Sequence, residues 1–392
     1  MVANAKSAPA LAVIRSLGKK NIEVTGVTDS KNDFPIYSKY CRHKIFLRTD
    51  PEDFEGRLDE LLEIVRERHY DVFLPVMNEN ILLVLSRRKD EFEKYTKLPL
   101  AAFDQLNIFM DKAATAKLLW SNQIPGPKTF LMDAGNSLDA VLREAAFPVV
   151  IKPCRGEGAE GVSIITDPAD LPVRYHRHLK TYGPSLIQEF VRGAKHTAVF
   201  LVNINSEPRR FFVHRAIREF PITGGPTCFL ESVRYDPIFE HGLKLIKAIN
   251  YSGLASMEFI IDEQDGKPKI IDINPRFYGP LQGAISAGVD FPYALFKMAV
   301  EGDIEEDFSY RTGVKCRHLL FGDTRHLISV LKGAKSPKYK AGKVRTLLNY
   351  LKFGRDDSYF ILSKSDPRPA LKMISGFLKL PKKASIYFKR NY

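Results

Sequence analysis

Apolar and polar positions alternate along the first hundred residues in a strand-then-helix rhythm. The run ALAVIRSLGKK predicts a helix ending at Gly18, and IEVTGVTD a strand ending near Asp29. Asp50 and Pro51 predict a helix start, as N-cap and first position, with Phe54, Leu58, Leu61, Leu62 and Val65 on one face. DVFLPV follows as a buried strand. Strands separated by amphipathic helices predict an open, mostly parallel α/β sheet. Its first strand is confined to MVANA, so it is either very short or cut by the start of the chain.

The rhythm changes after residue 105. AFPVVIKPCRGEGAEGVSIIT predicts a strand, a glycine-rich loop and a second strand, and SLIQEFVRG and TAVFLVNI are strands beyond a helical connector. Leu243 to Asn250 reads as helix, Met257 to Gly279 as two strands joined at Asp265-Gly266, and Pro292 to Val300 as a last helix. No repeat or low-complexity segment interrupts this order. Three regions follow: 1–105, an α/β domain; 106–302, a mixed α+β domain; and 303–392, a lysine-rich extension with scattered aromatics that reads as a separate appendage.

Composition narrows the class. A chain of 392 residues with 44% hydrophobic content can bury sizeable cores. No stretch approaches a membrane span, and the N-terminus lacks the layout of a secretory signal, so a cytoplasmic protein is expected. The four cysteines, Cys41, Cys154, Cys228 and Cys316, have no metal-ligand spacing and read as reduced thiols. The net charge of +13 resides in the tail: residues 331–392 hold 16 Lys and Arg against 3 Asp and Glu, while the rest is balanced.

Met257 to Gly279 concentrates the candidate chemistry. On a strand, Asp272, Asn274 and Arg276 project to one side, and an antiparallel pair joined at Asp265-Gly266 would bring Glu258 alongside. Two carboxylates, an amide oxygen and a guanidinium suit Mg2+ on polyphosphate oxygens, with arginine on a transferring phosphoryl group. Taken alone, an amphipathic hairpin with a solvated face serves equally well. Lys152 ends the strand VVIK and is followed by Gly156, Gly158 and Gly161, which let backbone N–H groups approach phosphate. This loop lies between strands, unlike phosphate loops that open a helix; a flexible hairpin is its bland reading. Gln188 to Val191 could read an adenine ring by a backbone edge, with Glu189 accepting from the exocyclic amine.

In this order, Lys112, Lys152 with its glycine loop, Glu189 to Val191, Glu258 and the run DINPR resemble the ATP-grasp superfamily over residues 105–302. The N-terminal region resembles the domain that precedes it in carbamoyl-phosphate synthetase large subunit and biotin carboxylase. The resemblance implies an open parallel sheet, then two subdomains around ATP, the lid spanning about residues 112–190. It assigns phosphate contacts to Lys112, Lys152 and the loop Gly156 to Ser163, including Gly158 and Gly161. The adenine hinge falls to Glu189 and Val191, Mg2+ (or Mn2+) to Glu258, Asp272 and Asn274, and the transferred phosphoryl group to Arg276. Two departures stand out. Asp272 replaces a more usual glutamate, and the ribose position falls at His196, next to Lys195.

The implied chemistry is phosphorylation of a carboxylate to an acylphosphate, then attack by an amine, so small-molecule carboxylates and amines are the expected partners, with a homo-oligomer admitted. In carboxylate-amine ligases of this superfamily a loop between hinge and metal strands borders the acceptor. Here that loop is His214 to Pro237, making Arg218, Gly224, Gly225 and Arg234 substrate candidates; a loop that simply needs two glycines to turn is the alternative. Cys154 and Cys228 flank such loops but read as packing residues, with no histidine placed to activate them. In the tail, Leu371, Ile374 and Leu378 share a helical face among Lys372, Lys379, Lys382 and Lys383. Such a helix either lies on the inner face of an anionic membrane or packs on the body. A carboxylase-like enzyme lacks support, because no biotin-carrier lysine motif occurs. A non-catalytic nucleotide sensor with a nucleic-acid-binding tail is disfavoured by the complete Glu258, Asp272, Asn274, Arg276 set and by the absence of a recognisable nucleic-acid motif.

Overall fold

The computed structural model describes all residues except 133–136, 157–159, 337, 338, 340, 355, 356 and 380–392, with only the backbone described at 377–379. Its strands form three sheets. The first is parallel, with strands β1 (Val2–Ala3), β2 (Thr25–Thr28), β3 (His43–Phe46) and β4 (Leu74–Pro75) in the order β3-β2-β1-β4. MVANA therefore supplies a two-residue strand in the middle of the sheet. The second helix starts later than expected: it spans Phe54–Arg68 with Asp53 as N-cap, its carboxylate accepting from Gly56 N–H at 2.9 Å. Asp50 and Pro51 instead form the preceding turn, where Asp50 accepts from Glu52 N–H at 2.8 Å.

The second sheet is antiparallel and holds β5 (Thr129–Phe130), β6 (Val149–Pro153), β7 (Ser163–Ile165) and β8 (Ser185–Glu189), ordered β5-β8-β6-β7. Its own core contains Val149, Ile151, Ile165 and Ile187 on one side, under the helix Leu171–Tyr182. This sheet is termed the lid after the subdomain that the resemblance implies, and the glycine loop lies between β6 and β7.

The third sheet has seven strands: β9 (Gly193–Val202), β10 (Pro208–Glu219), β11 (Thr227–Ser232), β12 (Gly253–Asp262), β13 (Pro268–Asn274), β14 (Lys315–Arg317) and β15 (Ser358–Tyr359). Their order is β13-β12-β9-β10-β11-β14-β15. Alternation along β9 sends Ala198, Phe200 and Val202 into one apolar cluster and Val199 and Leu201 into another. Both clusters also contain residues of the first hundred, such as Phe73 in one and Val13 in the other, so the N-terminal region and the central sheet share their cores.

The region after residue 303 is not a separate appendage. β14 pairs antiparallel with β11, and β15 lies parallel to β14. Asp366 receives Arg15 Nε at 2.9 Å and Ser38 Oγ at 2.7 Å, which fastens the C-terminal region to the N-terminal domain. The helix Arg368–Lys379 buries Ala370 and Met373 against Phe34 and Leu11, while Leu371 and Ile374 of the expected stripe stay exposed. Its described inner face thus packs on the body; the side chain of Leu378, and Lys382 and Lys383, lie outside the described residues.

Candidate active site

A cleft between lid and central sheet encloses a cavity of about 280 Å³, close to the lower bound of about 300 Å³ for small-molecule sites. One end is apolar, with Val150 and Ile164 of the lid facing Ile260 and Ile271 of the central sheet. The chain from Gln188 to Val191 borders this end. Glu189 and Phe190 donate their N–H groups within the lid, to the carbonyls of Lys128 at 2.9 Å and Pro148 at 3.0 Å. The Glu189 carboxylate accepts from Ala146 N–H at 3.0 Å, so one of its oxygens is already occupied. Val191, just past the end of β8, stands on the cleft wall.

The other end is ionic. Glu258 on β12 stands directly across from Asp272 on β13, and Ser256 across from Asn274. Asn274 Nδ2 donates to Asp272 Oδ2 at 3.4 Å, and Arg276 Nη2 donates to Asn274 Oδ1 at 3.0 Å. β13 ends at Asn274, so Arg276 reaches the row from the segment beyond the strand. A register shift after Glu258 leaves Ile271 without a cross-strand partner, and Lys152 Nζ donates to the Ile271 carbonyl at 2.8 Å. Lys112 opens the helix Lys112–Ser121, whose N-cap is Asp111; its ammonium donates to Gly156 O at 2.8 Å and lies 3.4 Å from Asp272 Oδ1.

These charges set one another's ionisation. Burial would push the Asp272 carboxyl up, but Lys112 and Lys152 outweigh it and hold the group below the usual carboxylate range. Burial likewise opposes charge on Lys112, and Asp272 with Glu79 and Glu258 raises its pKa nonetheless. Lys195, on β9, is nearly buried yet stays charged, because burial is offset by Glu258 at 2.8 Å and Glu219 at 3.0 Å. Two carboxylates and an amide oxygen facing one cleft are hard oxygen donors of the kind Mg2+ takes. Each carboxylate has an ammonium beside it and could exchange that lysine contact for a cation. Among the described residues no set of three or more His, Cys, Asp and Glu forms a metal cluster, which leaves Asn274 and ligand oxygens to complete the coordination.

Several expected residues lie elsewhere. His196 does not face the cleft: it pairs with Phe259 on the reverse side of β9, stacks on Tyr235 with centroids 6.2 Å apart and bonds Ala194 O at 3.0 Å. With a period of two, the cleft-facing positions are Lys195 and Thr197. Arg218 is buried and held by both oxygens of Asp323, which also receives Arg317 Nε at 2.9 Å. That guanidinium cannot serve as a substrate fork. Arg234 is half-exposed, donates to Phe308 O at 2.9 Å and lies over the Tyr310 ring, away from the cleft. Ser163 alternates with the cleft-lining Val162 and Ile164 and faces away, and the Gly161 carbonyl is held by His178. Gly158 lies outside the described residues.

Gly224 and Gly225 do border the cleft, and the loop needs both. Gly224 has φ +124°, and a Cβ on Gly225 would lie 2.3 Å from Phe220 O. The Gly225 carbonyl lies 3.4 Å from Lys195 Nζ, so this loop touches the ionic cluster directly. Cys154 is half-buried and Cys228 buried with its thiol pushed well up by burial, as suits packing.

Two residues were not anticipated as site members. Glu79, at the start of the helix Glu79–Arg87, is buried and approaches Arg276 Nε at 3.4 Å. It follows the buried strand β4, and the carboxyl ends of strands in open α/β sheets are where such sheets present functional groups, a signal the sequence did contain. Lys195 is the neighbour of His196, and the strand period of two allows only one of them on the cleft face.

Residues 109–280 match the family model described as ATP-grasp domain. Among curated proteins, the carbamoyl phosphate synthase large chain of Archaeoglobus fulgidus is 23% identical over 291 residues, covering 66% of this chain and 27% of that one. A D-alanine--D-alanine ligase of Carboxydothermus hydrogenoformans is 26% identical over 188 residues, covering 43% of this chain and 59% of the ligase. The chain therefore spans about a quarter of the first relative's length and under two thirds of the second's. The biotin carboxylase domain dimer of Hydrogenobacter thermophilus 2-oxoglutarate carboxylase, solved with MgADP, ADP and bicarbonate, superposes with a TM-score of 0.64 at 16% identity. It covers 80% of this chain and 72% of that one, and the likeness is one of fold.

Proposed function

We propose that this chain, which carries an ATP-grasp domain at residues 109–280, is an ATP-dependent carboxylate-amine ligase that uses ATP with Mg2+ and releases ADP. The observation that carries this reading is the meeting, in one cleft, of Lys112, Lys152, Lys195 and Arg276 with Glu258, Asp272 and Asn274, beside the apolar side chains Val150, Ile164 and Ile260. Support also comes from the D-alanine--D-alanine ligase relative, an enzyme named for joining two amino acids.

In the proposed reaction a substrate carboxylate oxygen attacks the γ-phosphorus of ATP, the bond to the β,γ-bridging oxygen breaks, and ADP leaves. The amine then attacks the acyl carbon, inorganic phosphate departs with the bonding pair, and the amine loses its proton as the C–N bond forms. Magnesium, when held by Glu258, Asp272 and Asn274, would neutralise phosphate charge. Lys152 and Lys112 offset repulsion between two approaching anions, and Arg276 stabilises the equatorial oxygens as the phosphoryl group transfers. Glu79 holds Arg276 in place from the N-terminal domain. The loop at Gly224 and Gly225 borders the acceptor, with Lys195 rather than Arg218 as the nearby cation.

The reading places the protein in the cytoplasm. No helix among the described residues is long and apolar enough to cross a membrane. A homodimer, as named for the 2-oxoglutarate carboxylase domain, is the quaternary state to test by sedimentation. The decisive experiment is an ADP-release screen of the purified chain against carboxylates and amines with Mg2+, with Asp272→Asn and Arg276→Ala as controls. Substrate-dependent ADP release abolished in both variants supports the ligase. Nucleotide binding without turnover on any acceptor pair would favour a nucleotide sensor, and full activity in either variant would mean the phosphoryl-transfer site lies elsewhere.

A further inference from the structure

The C-terminal region presents an apolar surface that nothing in the described structure covers. The helix Lys343–Tyr350 is held to the body by one side: Thr346 is buried and bonded to the Tyr339 hydroxyl at 3.0 Å, and Tyr350 bonds Thr324 at 2.9 Å. Its opposite side carries Val344, Leu347, Leu348 and Leu351, spaced i, i+3, i+4 and i+7, a stripe about 100° wide. Val344 is 73%, Leu348 57% and Leu351 58% exposed, with Phe353 beyond them at 52%. The preceding helix Thr324–Leu331, which packs against it, turns Ile328 and Leu331 outward as well.

Charge around this surface is mainly basic. Among the described residues, 324–354 contain Arg325, Lys332, Lys335, Lys343, Arg345 and Lys352 and no Asp or Glu; the first described carboxylate after them is Asp357, which accepts from Gly354 N–H at 2.9 Å. At the helical step of about 100° per residue, Arg345 and Lys352 flank the apolar stripe on one side and Lys343 on the other. A solvated helix has no use for four adjacent aliphatic side chains in water, and a docking site for an apolar protein groove has no use for a predominantly basic border. Basic residues on both flanks of a shallow apolar stripe are what a helix needs to lie in the headgroup layer of an anionic bilayer.

We propose that the helices Thr324–Leu331 and Lys343–Tyr350 form a docking face for an anionic lipid surface. The remaining tail, 380–392, is a poor occupant, since it adds Lys382, Lys383, Lys389 and Arg390 and no acidic residue. A second copy docking by the same face would set basic border against basic border. The proposal differs from a membrane role for the helix Arg368–Lys379, whose inner face is packed on the body. It stands independently of the ligase reading.

The test is co-sedimentation of the full chain with vesicles of phosphatidylcholine alone and of phosphatidylcholine mixed equally with phosphatidylglycerol, at low and high salt. Binding only to the anionic vesicles, weakened by salt, is expected. Leu348→Asp with Leu351→Asp, and separately Lys343→Glu with Arg345→Glu, are each expected to lower partitioning by roughly tenfold or more. Leu371→Asp should leave it unchanged. All these side chains are exposed, so the variants should melt as the parent does and keep nucleotide binding. No binding to anionic vesicles, equal binding by the leucine variants, or loss of binding only in Leu371→Asp would overturn the proposal. So would binding of an RNA or DNA oligonucleotide, or concentration-dependent self-association, that the leucine variants abolish while vesicle binding is absent.

Discussion

Two clusters of buried charge sit on the central sheet and are completed in different ways. Toward one edge, on β10 and β14, Asp323 is fully enclosed and shared by Arg218 and Arg317, while Arg317 also donates to the carbonyls of Tyr350 at 2.9 Å and Lys352 at 3.2 Å. Toward the other edge, around β9, β12 and β13, the pairs Lys195–Glu258, Lys112–Asp272 and Arg276–Glu79 are similar but line a cleft. The first cluster is finished by the protein itself, and the second keeps faces that a ligand can take over. A sealed arginine and one open to a cleft are thus distinguished by what else is within reach, not by residue type.

The largest effect should come from breaking the sealed cluster. Asp323→Asn leaves two buried guanidinium groups short of charge and should cost about 3–5 kcal/mol in a denaturant titration, with nucleotide affinity of the folded protein little changed. An equal loss of nucleotide binding would show that the two clusters are coupled. Arg276→Ala should do the reverse, lowering turnover by about 10²–10³-fold in the ADP-release assay while leaving the melting temperature and ATP affinity much less affected. A variant that merely unfolded would erase that contrast.

Between the clusters lies His214 on β10, fully buried, stacked on Tyr278 with centroids 5.8 Å apart, and with neither ring nitrogen hydrogen-bonded among the described residues. Burial, with Lys195 adding to it, pushes its pKa down to about 3. The unfolded chain titrates near 6.5, so on acidification the unfolded state takes up the proton first and stability falls below that pH. By pH 5 the loss from this group is about 2 kcal/mol. Denaturation at pH 7.5 and pH 5 should show a smaller acid loss in His214→Phe than in the parent; an unchanged difference would mean that the ring is solvated. The smallest effect is expected for Glu79→Gln, which weakens the hold on Arg276 from the N-terminal domain. It should lower kcat by roughly tenfold with the KM for ATP nearly constant.

Much of this was legible in the residues. The alternation of Asp272 and Asn274, with Glu258 alongside through the Asp265-Gly266 turn, is realised in the register Glu258 against Asp272, whereas Arg276 joins the row from beyond the strand end. Local spacing was enough there, because a tight turn leaves a hairpin few registers. The assignments that went astray involve long-range partners. Arg218 is claimed by Asp323, which lies far along the chain, and His196 is displaced by a one-residue question of strand face that only the sheet register answers.

The chain by itself determines the α/β start, the lid hairpin with its glycine loop, the metal-type hairpin and the basic character of the C-terminal region. These follow from periodicity, turn residues and charge, all of which act over a few residues. Tertiary structure alone decides that β14 and β15 join the central sheet, that Asp323 closes around Arg218, that Glu79 reaches Arg276, and that a second exposed apolar stripe lies at Val344 to Leu351. Each of these depends on burying one surface against another distant in sequence, and which surface is left over is known only when the packing is complete.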